Sequence, residues 1–260
     1  MKKIIALLLC LVLAAISVAV FAEGESDKDY VVGKGKLIVG ITDFEPMDYK
    51  DENGEWIGFD ADLARAFAEY LGVEIEFQEI DWDNKVLELN GKSIDCVWNG
   101  MTLTPEVMES METTNAYLNN AQVVVMPEAS AKDYDTVELL KSLQFAVEAG
   151  SAGEAAAKEN GFEYTALAAQ SDTLLEVKSG TSDASIIDLL MADAMIGEGT
   201  SYPDLTHTIE LTKEEYGVGC RKGSDLAQFI NDEFASLYKD GTMTSIAETY
   251  DVAAALIEQK

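Results

Sequence analysis

The sequence predicts an α/β protein of two similar lobes, one inserted into the other. Three observations predict it. Short, uninterrupted apolar runs alternate with amphipathic segments of helical period, the pattern of a parallel sheet covered by helices. The pattern then restarts: the stretches ELNGKSID (88–95) and EVKSGTSD (176–183) both run from a helix end through a glycine turn to an aspartate and a strand. Finally, two extended apolar runs, 121–126 and 216–220, bracket the second series as crossings between the halves. A chain of 260 residues holds one or two domains and can bury a real core.

Taken in order, the chain opens with Lys2 and Lys3, an apolar run over 4–20, and Ala22 before an acidic stretch. This reads as a secretory signal peptide (1–22) cut after Ala22, and so as a secreted protein, periplasmic or extracellular. An uncleaved membrane anchor, which would keep the protein at the cell surface, is the alternative reading, because the run is near spanning length. A lipid anchor at Cys10 is rejected, since Leu9 before it is not small. Residues 23–35 are polar and charged and read as a flexible linker. Strand 37–41 follows, then a helix over 60–71 with Asp60 as its cap. Leu63, Phe67, Tyr70 and Leu71 share one face of that helix, and Gly72 lies past its end. A strand at 73–77, a helix at 83–90 and a strand at 94–98 complete the first series.

The second series is a strand at 144–148, helices at 152–160 and 171–179, and a strand at 184–187. The tail 224–258 is helical, with Leu226, Phe229, Ile230, Phe234 and Leu237 at core spacing and Gly241 as a stop. The expected division is 36–124 plus 218–260 for lobe 1 and 125–217 for lobe 2.

Composition removes several function classes. Forty-eight acidic against 18 basic side chains give a formal charge of −30, which repels nucleic acid and anionic membrane surfaces. His207 is the one histidine, so a multi-histidine metal site and catalysis by a histidine pair are excluded; it reads as a surface residue. No nucleotide-binding glycine pattern, nucleophile elbow or Cys-x-x-Cys pair is present, and no cofactor or metal is expected. Asn53-Gly54 reads as a hairpin turn. The neighbouring acidic cluster lacks calcium-loop spacing, because Tyr49 takes the first ligand position. Cys96 and Cys220 read as two buried thiols, with pairing in an exported protein as the alternative.

Ligands of open parallel sheets gather beyond the carboxyl ends of the strands. Four segments end there: 42–47, 98–104, 148–153 and 186–188. The turn from Gly150 to Gly153 presents backbone N–H groups to a small anion, or is simply capped by Ser151. Asp188 holds an ammonium group or caps the next helix. Phe44 is a lid against a ligand or part of the core, and Trp98 packs in the sheet.

At these segments the chain resembles the bacterial extracellular solute-binding proteins of family 3, the polar amino-acid receptors of ABC importers. The residues that carry the resemblance are LIVG (37–40), NG (53–54) with GFDADL (58–63), GKSID (91–95), and WNGMT (98–102) with Thr104. They continue through NAY (115–117), Gly150-Ser151, SDASIID (182–188), RKG (221–223) and KDG (239–241). The resemblance implies a type II periplasmic-binding-protein-like flytrap: two lobes, two hinge strands, and a small molecule buried between them. It implies an amino acid or related amine as ligand, an ABC permease as partner, a monomer, and no catalysis.

Carried over residue by residue, Phe44 is the aromatic wall, and Asn99, Gly100 and Thr102 are the lobe 1 contacts. Ser151 and Ala152 give backbone N–H groups to a carboxylate, and Asp188 takes the ammonium. One position departs. The family's arginine, three residues after the threonine, is here Val107, and Glu45 alters the aromatic lip. A buried carboxylate without its bidentate partner loses about 3–5 kcal/mol, which is two to four orders of magnitude in affinity at about 1.4 kcal/mol each. Arg65 and Arg221, the two arginines, stand elsewhere in sequence. Either backbone N–H groups with Thr102 and Thr104 hold a carboxylate alone, or the ligand is an amine, a modified amino acid or a small peptide-like compound. The rival functions are a ligand-sensing ectodomain and a flytrap-fold enzyme; the latter would need Asp43, Glu45 or Asp188 as its acid or base.

Overall fold

The computed structural model describes residues 26–260, so the expected signal peptide and the first residues of the expected linker lie outside the described residues. The rest of that linker is ordered, against expectation. Asp27–Lys34 forms a helix capped by Ser26, whose hydroxyl accepts from the Asp29 N–H and donates to Asp225. Val31 is fully buried, and Asp27 receives the Arg221 Nε–H at 2.9 Å. One apolar anchor and one buried ion pair turn a polar stretch into part of the fold.

Two five-stranded sheets follow, with the same topology. The first has the spatial order Glu74–Glu79, Lys36–Ile41, Cys96–Val97, Gly219–Cys220, Glu112–Thr113. The second has the order Glu163–Leu167, Gln144–Glu148, Ala184–Asp188, Gln122–Pro127, Leu205–Glu210. In each, the first three strands are parallel and the last two antiparallel to their neighbours. The chain passes between the sheets at Leu118–Asn120, which pairs antiparallel with Glu214–Tyr216 on the way back. Gln122–Pro127 therefore belongs wholly to the second sheet, and the crossing falls earlier than the expected break after residue 124. A continuous apolar run reads as a hinge in sequence; here it is a strand buried on both faces.

Helix Phe59–Leu71 starts one residue earlier than expected, capped by Gly58. Asp60 is not its cap. The carboxylate is fully buried and accepts from the Gly100 N–H at 2.6 Å and the Tyr117 hydroxyl at 2.8 Å. The expected helix at 83–90 divides into a 3-10 turn, Trp82–Asn84, and helix Lys85–Asn90. The tail helix Leu226–Asp240 stops at Gly241, and Thr242–Thr249 continues in a new direction. Trp98 packs in the first core with its ring edge-on to Phe234, 5.5 Å between centroids. Phe145 and Phe162 stack at 4.7 Å in the second. Cys96 and Cys220 are buried, unbonded thiols that stand directly opposite each other on paired strands. Among the described residues no helix is long and apolar enough to cross a membrane.

Candidate ligand-binding cleft

The carboxyl ends of the parallel strands from both sheets face one cavity of about 550 Å³. Phe44, Asn99, Gly100, Thr102, Val107, Ser151, Ala152 and Asp188 all line it. The structure thus brings together all eight residues singled out in the sequence, but it gives them different standing.

On the first-lobe side, most polar groups are already used. The Asn99 carbonyl accepts from the Thr42 N–H at 3.0 Å and the Thr42 hydroxyl at 2.7 Å. Its amide donates to the Thr42 carbonyl at 3.0 Å and to Asp48 at 2.8 Å. That side chain has no capacity left for a ligand. Gly100 has φ +55, and an added Cβ would lie 2.6 Å from Phe44 Cε1, so the close approach of backbone to ring requires glycine. Phe44 is 3% exposed and edge-on to Tyr216 at 6.3 Å, so it is core and cavity wall at once. Thr102 donates its hydroxyl to Glu214. Thr104 caps the short helix Pro105–Ser110 by accepting from the Val107 N–H, which leaves the apolar Val107 side chain at the cavity.

The second-lobe side is unsaturated. Ser151 caps helix Ala152–Asn160 by accepting from the Glu154 N–H at 3.1 Å. The N–H groups of Ala152 and Gly153 in that first turn have no partner among the described residues, so capping and an anion site coexist. Asp188 occupies the cap position of helix Leu189–Met195 but makes no cap bond. Its oxygens accept from Asn120 (2.6 Å), Tyr216 (2.6 Å) and Gln170 (2.8 Å). Burial, and then the neighbouring Glu214 charge, push its pKa up to about 7. Glu148, closing the adjacent strand, is 3% exposed, and its Oε1 has no hydrogen-bond partner. Burial and the Asp188 charge push it up to about 8.

Two residues that sequence reasoning missed complete the cleft. Glu148 is one; its only signal was its place at the end of a strand just before Gly150. Lys85 is the other. It is buried, with its ammonium over the Trp82 ring, and it donates across the cleft to the Gly150 carbonyl at 3.0 Å. Gly150, at φ +71, lies against Asp83 so closely that a Cβ would sit 2.8 Å from the Asp83 Cα. The lobes are closed on each other. Neither arginine reaches the cavity: Arg65 bonds Asp62 and the Trp56 carbonyl, and Arg221 bonds Asp27, Asp95 and the Ile94 carbonyl. His207 is on the surface, 3.7 Å from Asp193.

Two matched sheets, a paired crossing and a polar cavity between closed lobes define a two-lobed protein that encloses a small solute. Comparison with known proteins gives the family. The chain belongs to the bacterial extracellular solute-binding proteins, family 3, whose model matches residues 37–252. It is 32% identical over 252 residues to the arginine-binding extracellular protein ArtP of Bacillus subtilis, covering 94% of this chain and 96% of that protein. A mutant of the arginine-binding protein ArgBP from T. maritima superposes with a TM-score of 0.81 at 32% identity, covering 86% of this chain and 99% of that one. A substrate-binding protein of an ABC uptake transporter from Streptococcus pneumoniae, solved with bound histidine, superposes at 0.79 and 30% identity, covering 88% and 98%.

Proposed function

We propose that this protein captures an amino acid, or a closely related amine, outside the cytoplasm and delivers it in the closed form to an ABC permease. The observation that carries the reading is the wall made by Glu148 and Asp188: two buried carboxyl groups on adjacent strand ends, both lining the cavity and neither in an ion pair among the described residues. A buried carboxylate is costly unless a cation arrives. An ammonium group entering the cleft satisfies that demand, and the unpartnered N–H groups of the Ala152 turn suit a carboxylate on the same molecule. Phe44, Met101 and Val107 supply the apolar lining for its carbon skeleton. Because the ligand touches both lobes, it favours the closed arrangement over the open one. Binding and release without chemical change account for this site, and the named relatives are binding proteins. The test is a thermal-shift screen of amino acids, their amines, small peptides and sugars, followed by calorimetry. The expected hit carries an amine and, at about 100 times its Kd, stabilises the fold by about 2.7 kcal/mol. A response to neutral sugars alone would overturn the reading.

A further inference from the structure

We infer that Lys85 replaces the missing arginine as the cationic grip on the ligand's carboxylate, reaching it from the same first-lobe wall that carries Val107. The inference rests on the amino-acid reading above and names the residue that decides it. Both guanidinium groups are engaged outside the cavity, and the position three residues after Thr104 is apolar. Yet the cleft is not without a cation. Lys85 begins helix Lys85–Asn90, lines the cavity and is 8% exposed.

Its ammonium has three N–H groups. One goes to the Trp82 carbonyl at 3.1 Å and one to the Gly150 carbonyl at 3.0 Å. Among the described residues the third has no partner, and no carboxylate lies within ion-pair distance of the nitrogen. Lys85 is therefore a buried charge solvated by two neutral carbonyl dipoles, an arrangement that leaves it in need of an anion.

The place where that anion fits is already built from the other lobe. The carbonyl that Lys85 holds belongs to Gly150, and the next two residues are Ser151 and Ala152, where the helix presents its positive end. The unpartnered N–H groups of Ala152 and Gly153 and the spare Lys85 N–H thus come from two lobes to one end of the cavity. Asp188 and Glu148 line the same cavity and take the ammonium. Burial lowers the Lys85 pKa, and the charges of Glu148, Asp83, Glu106 and Glu154, none of them in an ion pair with it among the described residues, act in the opposite sense. A lysine is a point donor and does not give the parallel double bond of a guanidinium, so part of the grip falls to the backbone N–H groups. Since Lys85 also bridges the lobes, carboxylate binding and closure act on the same atom.

Calorimetry on the purified protein tests this with matched pairs that differ by the carboxylate: arginine and agmatine, lysine and cadaverine, histidine and histamine. The wild type is expected to prefer the amino acid of its pair by tenfold or more. Lys85→Met should weaken that amino acid at least tenfold and change the matching amine by less than threefold. Lys85→Gln, which still donates to carbonyl groups, should behave alike and serves if the methionine variant does not fold. Adding Val107→Arg to Lys85→Met should restore the preference. Equal losses for amino acid and amine would make Lys85 a latch only, and no loss would remove it from the site; either overturns the inference and spares the amino-acid reading. A wild type that binds the amines but no amino acid, or none of these probes, overturns both.

Discussion

Two pairs of buried carboxyl groups in this molecule have the same chemistry and different work. Asp48 and Asp60 sit fully buried beneath the first-lobe strand ends, while Glu148 and Asp188 close two strands of the second lobe. Burial is the largest cause of a raised pKa in all four, and each pair feels a like charge nearby. What separates them is access. Asp60 is enclosed by the Gly100 N–H and the Tyr117 hydroxyl, and Asp48 by Asn99; neither lines the cavity. Glu148 and Asp188 both line it, although Asp48, Asp60 and Glu148 each keep one oxygen without a partner among the described residues. A perturbed carboxyl group is thus an enclosed support in one lobe and part of the cavity wall in the other. The shift alone does not tell them apart.

The comparison breaks most sharply under truncation. Asp188→Ala is expected to weaken an amine ligand by about 2–5 kcal/mol, because the ammonium loses its buried partner. Asp60→Asn should leave affinity within a few-fold, with isothermal calorimetry as the common measure. Equal losses would erase the distinction. A smaller effect comes from access itself. Gly150→Ala forces a Cβ against the Asp83 backbone, a contact between lobes that opening relieves. Affinity should fall about tenfold, or about 1.4 kcal/mol, and small-angle scattering should show a larger radius of gyration with ligand present.

The smallest effect is on pH dependence, and its sign differs between the two readouts. A carboxyl group with a raised pKa binds protons more readily in the folded state than in the unfolded one, so its contribution to stability is lost as pH rises through the folded value. With Asp60 and Asp188 at about 7 and Glu148 at about 8, the ligand-free protein should melt at a higher temperature at pH 6 than at pH 8. Asp60→Asn should flatten that slope. Affinity for a cationic group should move the other way, strengthening from pH 6 to 8 as Glu148 and Asp188 ionise, with protons released on binding. A ligand-free melting temperature that rises with pH would refute the assignment of these buried acids.

Much of the site was legible because strand ends are legible. Phe44, Ser151 and Asp188 follow from the strand ends, Asn99, Gly100, Thr102 and Ala152 from the family resemblance, and Val107 stood out by departing from the family's pattern. Lys85 was not legible, and Glu148 was legible only as the first residue of a strand-end segment, with no role assigned to it. In sequence Lys85 is one polar residue of a short mixed helix and Glu148 one acid among 48 acidic side chains; both are buried in the fold. Asn99 failed in the opposite sense, since nothing local reveals that Thr42 and Asp48 consume its amide. Within the expected linker, residues 26–35 were misread because a single buried valine and one ion pair to Arg221 order them.

By itself the order of residues determined which segments become strands and helices, that the pattern occurs twice, and which loops meet at the strand ends, since period and turn chemistry are local properties of the chain. Tertiary structure alone decided which acids are sealed and which face the cleft, which cations are already engaged, and that Lys85 of one lobe meets Gly150 of the other. Burial and pairing depend on neighbours about 65 to 200 positions away, and no local pattern encodes the free energy of bringing them together.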